Sequence, residues 1–445
     1  MLSFGFAFLA GGAIGGELRI RSVDDFIQFR DNVDSGTNYY GTTVFLDSDI
    51  DFAGKTFEPI GNYSNYFNGT FDGQGHVISN LAMTSSSIYV GLFGYSWGLT
   101  IRNVILDSSC SITSSYGSGS VYIGGIIGHC DARNGPCTIE NSANMGSVTF
   151  SGYVSSSYYL HLGGIAGYLS FYDFDSTVKN CANYGDVTHS GKSKDSCIGG
   201  IVGWSSNSSS NRVYIYNSLN HGTITHNGTT SDSLWVGGIA GQTDYTTIEN
   251  CVSGGKISLL TTARYVNYIG GIGGYVSSDT SINYTYFASD LSGYDKYGYI
   301  ESNPVESNTL SYDSTSFELH GTVSIGSYSG SSLIGALNAY TDYYTLRNYP
   351  HWLLNKGNNA VSFTINKNSP FALNSQVILL PSLASEGNTT FRWYEDKECT
   401  VPFEKATVEE GVTLYGKYGS EKSMASSLFP YATLLLSFLI SLIAF

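Results

Sequence analysis

Charge is what this chain has least of. Only 13% of its 445 residues are Asp, Glu, Lys or Arg, against roughly 25% in an ordinary soluble domain. The 21 Lys and Arg form no basic stripe and the formal net charge is −15, so a nucleic-acid backbone would be repelled and no nucleic-acid partner is expected. Cysteine is sparse too. There are seven, an odd number, and no Cys-x-x-Cys pair, which leaves no zinc framework. Ser, Thr, Asn, Gly and 35 Tyr take the place of charge and give a neutral, hydroxyl-rich surface.

What the chain has in abundance is repetition. A block of about 35 residues recurs six times, each copy opening on a glycine-hydrophobe turn. The openings are Val90-Gly91-Leu92-Phe93-Gly94, Gly124-Gly125-Ile126-Ile127-Gly128, Gly163-Gly164-Ile165-Ala166-Gly167, Gly199-Gly200-Ile201-Val202-Gly203, Gly237-Gly238-Ile239-Ala240-Gly241 and Gly270-Gly271-Ile272-Gly273-Gly274. The second halves, Ile139 to Thr149, Val178 to Thr188 and Ile215 to Thr225, share an Ile/Val-x-Asn-Ser/Cys core with a second Asn three residues on. Ile248 to Ser258 keeps the pattern with Ser253 and Gly254 in place of the second Asn and its neighbour.

Strand alternation places the aliphatic residues inward, with Asn and Gly where the chain bends. Each copy is then one coil, and stacked coils pair every strand with the one above at about 4.8 Å. Three or four aliphatic side chains per coil, at roughly 1.5 to 3 kcal/mol each, offset much of the ordering cost. Glycine in a strand costs about 0.5 to 1 kcal/mol, so its recurrence implies close backbone approach or positive φ.

Before the repeats, Ser22 to Gly36 predicts a short helix. Ser22 caps it, Phe26, Phe29 and Val33 share a face, and Gly36 ends it. Cys130 and Cys137 are close enough for a small loop bridge. Cys181 and Cys251 occupy the repeat position of Ser142 and Ser218 and read as interior fillers.

Both ends resemble processing signals. Residues 1–16 are uncharged and apolar and run into small residues, as a secretory signal does. Residues 428–445 are an apolar run that follows a polar spacer, 419–427. That arrangement is expected to hold the chain on a membrane through either a glycosylphosphatidylinositol lipid anchor or a spanning helix. Six N-glycosylation sequons agree with a secreted route: Asn62, Asn68, Asn207, Asn227, Asn283 and Asn388.

The Gly91-Leu92-Phe93-Gly94 run and its five Gly-Gly-Ile-x-Gly relatives resemble the GLUG motif. Asp49-Ile50-Asp51, Pro59-Ile60-Gly61 and Phe67 to His76 resemble the segment that accompanies it. The resemblance covers about residues 17 to 290 and implies a right-handed parallel β-helix of a repetitive surface protein. Residues 360–418, with Phe391-Arg392-Trp393-Tyr394 and Val412 to Tyr418, are similar to a Listeria-Bacteroides (internalin B-type) repeat, which implies a small β-grasp-like domain. The expected organisation is a cap with opening coils over 17–87, solenoid repeats over 88–288, a terminal cap or linker over 289–357, then this module, the spacer and the tail.

Catalytic motifs are few. Gly94-Tyr95-Ser96-Trp97-Gly98 matches the nucleophile-elbow pattern, but that pattern needs a strand-to-helix turn, and no helix is expected here. Gly185, Gly191, Lys192 and Ser193 brush against a phosphate loop with the wrong spacing. The eight histidines are scattered and read as solvated loop positions rather than ligands. Asp47, Asp49 and Asp51 could share a face near Asp72, and converging carboxylates are what glycan cleavage requires.

Tyr153, Tyr158, Tyr159, Tyr168, Phe171, Tyr172, Trp204 and Trp235 lie in or beside the loops between coils, where aromatic rings, above all those with a polar edge, suit sugar or protein contact. Tyr158, Tyr159, Tyr172, Trp204 and Trp235 are the candidate binding face. The expected function is therefore that of a non-enzymatic, cofactor-free cell-surface glycoprotein, adhesin-like or part of a coat. It would contact glycans or the proteins of neighbouring cells. The alternative is a carbohydrate-active β-helix enzyme, a polysaccharide lyase or hydrolase.

Overall fold

The computed structural model describes residues 16–312 except 117–118, 156, 172, 207–210, 217, 250, 284, 302–304 and 308. Beyond them it describes 318–325, 328–332, 352–354, 361–363, 378–379, 389–394, 400–402, 407–408 and 415–420. The fold is an all-β, right-handed parallel β-solenoid with a helix at its N-terminal end.

One coil visits five faces, numbered here in the order the chain meets them. In the coil from Cys137 they are Cys137–Glu140 (face I), Ala143–Asn144 (II), Ser147–Phe150 (III), Tyr159–Gly163 (IV) and Ala166–Phe171 (V). The six coils that begin at Thr70, Leu99, Cys137, Ser176, Val213 and Thr246 make the full visit in register, and with the partial coils at either end the faces grow into sheets of ten, eleven, six, six and seven strands. Face II alone ends in two antiparallel strands, Glu318–Ile325 and Tyr328–Ser332.

Register aligns like with like. Phe71, Ile101, Ile139, Val178, Ile215, Ile248 and Ile282 stack as one inward column on face I, all buried. Outward on the same face, Asp72, Arg102, Glu140 and Lys179 alternate in sign, with contacts of 2.8 Å for Arg102 to Asp72 and 2.6 Å for Lys179 to Glu140. These pairs are partly buried, and opposite charges at facing positions of neighbouring strands contribute roughly 0.2 to 1 kcal/mol each, so the ladder favours the correct register.

The helix is Val23–Asp34. The Ser22 side chain accepts from the Asp25 amide at 3.1 Å, and Phe26, Phe29 and Val33 are buried. Phe26 meets Phe52, Phe57 and Phe71 edge-on, and Phe29 stacks on Phe71, so the helix seals the open end of the first coils with rings.

The two asparagines of the repeat do different work. Asn103, Asn141 and Asn180 turn the corner between faces I and II with φ of 58°, 51° and 53°, a left-handed conformation that Asn tolerates better than most residues. The second asparagine, expected at a bend, is instead interior. Asn144 donates to Asn183 Oδ1 and Asn183 to Asn220 Oδ1, both at 2.9 Å, while each also donates to a glycine carbonyl of its own coil. All three are fully buried.

That ladder accounts for the second glycine of three turns, Gly125, Gly164 and Gly200; at Gly238 and Gly271 the crowding side chains are Ser253 and Phe287. A Cβ on Gly164 would lie 2.2 Å from Gly200 O and 2.3 Å from Asn183 Cγ. Close approach, and not positive φ, is what requires glycine there.

Parallel stacking continues past Ala288. Tyr297–Ile300, Val305–Ser307 and Leu310–Tyr312 lie in register on Gly273–Val276, Ser281–Asn283 and Tyr286–Ala288. The sequence reads as irregular here because this coil lacks the Gly-Gly-Ile turn. Gly298 nonetheless keeps the close approach, since its Cβ would meet Ile269 N at 2.2 Å.

Among the described residues the C-terminal region holds three antiparallel pairs, Trp352–Leu354 with Val361–Phe363, Ile378–Leu379 with Thr407–Val408 and Thr389–Tyr394 with Tyr415–Ser420. Apart from 400–402, the rest of 360–418, where the β-grasp-like domain is expected, lies outside the described residues. The apolar tail 428–445 and the leading residues 1–15 lie outside the described residues. No helix among the described residues is long and apolar enough to cross a membrane.

Candidate functional site: an aromatic crease

Faces IV and V meet at the Gly-Gly-Ile-x-Gly turn with their outer surfaces folded toward each other. The last glycine of the turn forms the floor of this crease: a Cβ on Gly128 would lie 2.8 Å from Tyr122 O, and one on Gly203 2.6 Å from Leu162 N. The turn's isoleucine points the other way, so Ile126, Ile165, Ile201, Ile239 and Ile272 are all fully buried.

Rings line both walls. On face IV the register brings Tyr89, Tyr122, His161, Cys197, Trp235 and Tyr268 into one column. Face V aligns Tyr95, His129, Tyr168, Trp204, Gln242, Tyr275 and Tyr299. Rings stack along each column and across it. Centroids are 5.0 Å apart for Tyr122 and His161, 4.8 Å for Tyr122 and His129, 4.9 Å for Tyr168 and Trp204 and 4.7 Å for Tyr268 and Tyr299. Each such pair contributes about 0.5 to 1.5 kcal/mol beyond its buried area. The ladder is interrupted where Cys197 and Gln242 stand side by side, with Sγ 3.6 Å from Oε1.

Burial sets the electrostatics. It drives the His129 and His161 imidazoles down to about 3, so both are neutral, and pushes the Tyr89 hydroxyl up to about 12. Asp131, Asp244 and Glu301 reach the crease, and Glu301 hydrogen-bonds Tyr275. Asp131, raised chiefly by burial, is held by Arg133 at 3.1 Å. Asp244, raised for the same reason, accepts from Trp204 Nε1 at 2.8 Å and Gln242 Nε2 at 3.2 Å. The result is a long furrow of ring edges and polar tips with little net charge.

The predicted aromatics divide. Tyr158 and Tyr159 are exposed, at 43% and 41%. Trp204 and Trp235, read as loop residues, stand on strands Val202–Ser205 and Ser233–Gly237 inside the crease, as does Tyr168 on face V; their spacing from the glycine turn was the signal that locates them. Tyr172 lies outside the described residues. Of the sequons, Asn62 and Asn227 are exposed. Asn68 and Asn283 are half-buried, with Asn283 Nδ2 donating to Glu249 at 3.1 Å, and Asn207 and Asn388 lie outside the described residues.

Cys130 and Cys137 are joined by a disulfide with their Cα atoms 6.1 Å apart. Cys181 and Cys251 are buried thiols pushed up to about 12 by burial.

The histidines correct the reading of solvated loops. His129, His161, His189 and His226 are buried, because outward positions in the crease and inward positions on face III exclude water. Among the described residues no three His, Cys, Asp or Glu side chains gather as a metal site.

The catalytic motifs dissolve into the fold. Ser96 is buried on strand Phe93–Ser96 and its hydroxyl donates to Phe67 O and Gly98 O at 2.6 and 2.9 Å. Lys192–Ser193 is a short strand paired with Thr229–Thr230, not a phosphate cradle. Asp47 pairs with Arg19 and Arg21, Asp49 with His76 and the Val77 amide, Asp51 with Asn80 and the Ala53 amide, and Asp72 with Arg102 and Asn103. Each carboxylate is engaged by its own partners within its coil or an adjacent one.

No protein-family model matches the chain, and no curated protein is similar to it in sequence. Among solved structures, the chain is similar to a Bacteroides ovatus protein described as a candidate immunoglobulin A1 protease. The TM-score is 0.50 and the identity 20%, over 78% of this chain and 91% of that one. At that identity the likeness shows the solenoid fold alone.

Proposed function

We propose that the chain is a non-enzymatic cell-surface solenoid, adhesin-like or part of a coat, of the GLUG-repeat kind, carried on the membrane by its C-terminal tail. The crease is its contact surface for glycans or for proteins of neighbouring cells. The observation that carries this reading is the two in-register columns that run from Tyr89 to Tyr268 and Tyr299, rings broken only by Cys197 and Gln242, an extended amphipathic surface along successive coils. Tyr158 and Tyr159 enlarge that surface at its rim, and sequons such as Asn62 and Asn227 suit a glycoprotein.

The competing reading, a polysaccharide lyase or hydrolase, needs carboxylates that converge on one sugar bond. Asp49 and Asp72 instead hold His76 and Arg102.

Beads coated with the full chain test the proposal. Binding to whole cells should fall at least tenfold in a Trp204→Ala, Tyr268→Ala variant that keeps its β-sheet circular dichroism. Glycan cleavage that disappears in Asp72→Asn would overturn it. The tether is read separately, from the mass of the mature C-terminus.

A further inference from the structure

A second concavity lies away from the crease, on the outer side of face I where it meets face V. It is a cleft of about 430 Å³, within the range of about 300 to 1,000 Å³ of small-molecule sites. Its floor is a row of threonines in register, Thr43, Thr70 and Thr100, one from each of three successive strands. Asn68 and Asn134 add amides, and Tyr40 and Phe174, exposed at 65% and 42%, add rings.

Three properties of this cleft point to one ligand chemistry. No charged side chain lines it, so neither an anion nor a cation is selected. The hydroxyls of Thr43, Thr70 and Thr100 and the amide of Asn68 make no hydrogen bond within the described residues, which leaves donors and acceptors at rungs about 4.8 Å apart, the scale of one sugar ring. Exposed rings beside such hydroxyls suit a pyranose, which has an apolar face and a hydroxylated edge. The glycines hold the cleft open. A Cβ on Gly98 would meet Gly135 O at 2.5 Å, and Gly135 itself, at φ 156°, faces open space.

We infer that this cleft binds one or two rings of a neutral glycan presented by another molecule. The inference rests on the surface-contact reading and gives it a second, chemically defined site. Asn68 begins the sequon Asn68-Gly69-Thr70, so the same chemistry has a second source in a glycan attached to the chain itself.

The test uses the full chain made in two hosts, bacterial periplasm, which forms disulfides and adds no N-glycan, and glycosylating cells. N,N′-diacetylchitobiose and mannobiose are titrated into each by saturation-transfer NMR and calorimetry, with sialyllactose as the charged control. Saturable binding of a neutral disaccharide to the unglycosylated chain, weakened at least tenfold by Tyr40→Ala or Phe174→Ala and unchanged by Leu260→Ala, at an exposed side chain outside both the cleft and the crease, supports the inference. Both aromatic variants remove exposed rings, and circular dichroism verifies the fold.

Absence of saturable binding to the unglycosylated chain overturns the inference, as does preference for sialyllactose. Cleft resonances that shift only when the chain's own Asn68 glycan is present overturn binding in trans. Loss of cell adhesion in the crease variant alongside a silent cleft would sink this inference and leave the surface-contact proposal standing.

Discussion

His189 Nδ1 lies 3.1 Å from His226 Nδ1 inside the solenoid, one coil above the other on face III. One ring must accept from the other, so the pair is held together only while at least one Nδ1 carries no proton. Burial drives His189 down to about 3 and lowers His226, and His129 and His161 in the crease are also near 3. The unfolded chain takes up protons at these positions near pH 6.5 and the folded chain does not, so their stabilisation is complete above that pH. It is lost as pH falls toward 3, at up to about 1.4 kcal/mol per pH unit for each histidine.

The melting temperature should therefore be flat from pH 8 to 6.5 and drop between 6.5 and 5. Asp131 and Asp244, raised by burial, oppose the trend as pH falls through their raised range toward the ordinary carboxylate value. His226→Leu, which extends the Leu259 position of the same column, should make the drop shallower. An unchanged slope in that variant would refute the assignment.

Asn183 is the middle rung of the buried amide ladder. Asn183→Ala removes its bonds to Gly185 O and Asn220 Oδ1, leaves the buried Asn220 Oδ1 without that donor and takes one of three acceptors from the Asn144 amide. The expected cost is about 2 to 4 kcal/mol, from bonds of about 1 kcal/mol each and the penalty of unpaired buried groups. Denaturant melts that place the variant within 0.5 kcal/mol of the parent, on the order of a surface change, would contradict it.

Gly164→Ala tests the crowding that selects glycine. The added methyl has no vacant space between Gly200 O and Asn183. Overpacking of this kind costs about 1 to 3 kcal/mol. Limited proteolysis should cut the variant near this coil first, whereas Gly54→Ala, with nothing within 4 Å of the new Cβ, should show only the strain of its φ of 73°.

The Cys130 to Cys137 bridge closes a loop of seven residue steps. Loop entropy assigns it about 2.5 kcal/mol. The Cys130→Ser, Cys137→Ser variant should melt several degrees lower, and reductant should reproduce the shift in the parent chain. If reductant leaves the parent unmoved while the variant melts lower, packing and not cross-linking explains the difference.

Period and alternation made the solenoid legible, since in a parallel in-register stack every strand repeats its neighbour's pattern. The helix was legible for a local reason: Ser22 and Phe26, Phe29 and Val33 carry their own cap and face. The crease was not. Tyr122 and Trp204 become neighbours of rings on another face only because the outer surfaces fold together at the glycine floor, and nothing in a single repeat states the sign of that bend. The histidines were misread for a related reason. A polar residue in a mostly aliphatic strand looks solvated until its partner one coil away is known, as His189 and His226 show. Amide ladders hide similarly, because Asn183 resembles a turn residue in its own coil.

Register has a mechanical corollary. Gly163 and Gly199 are partners on adjacent coils, 36 residues apart along the chain. Folded, that stretch advances the rod by about 4.8 Å; pulled straight, it pays out roughly 120 Å. Under tension between its ends the molecule would lengthen turn by turn, each unwound coil releasing slack about 25 times its folded rise.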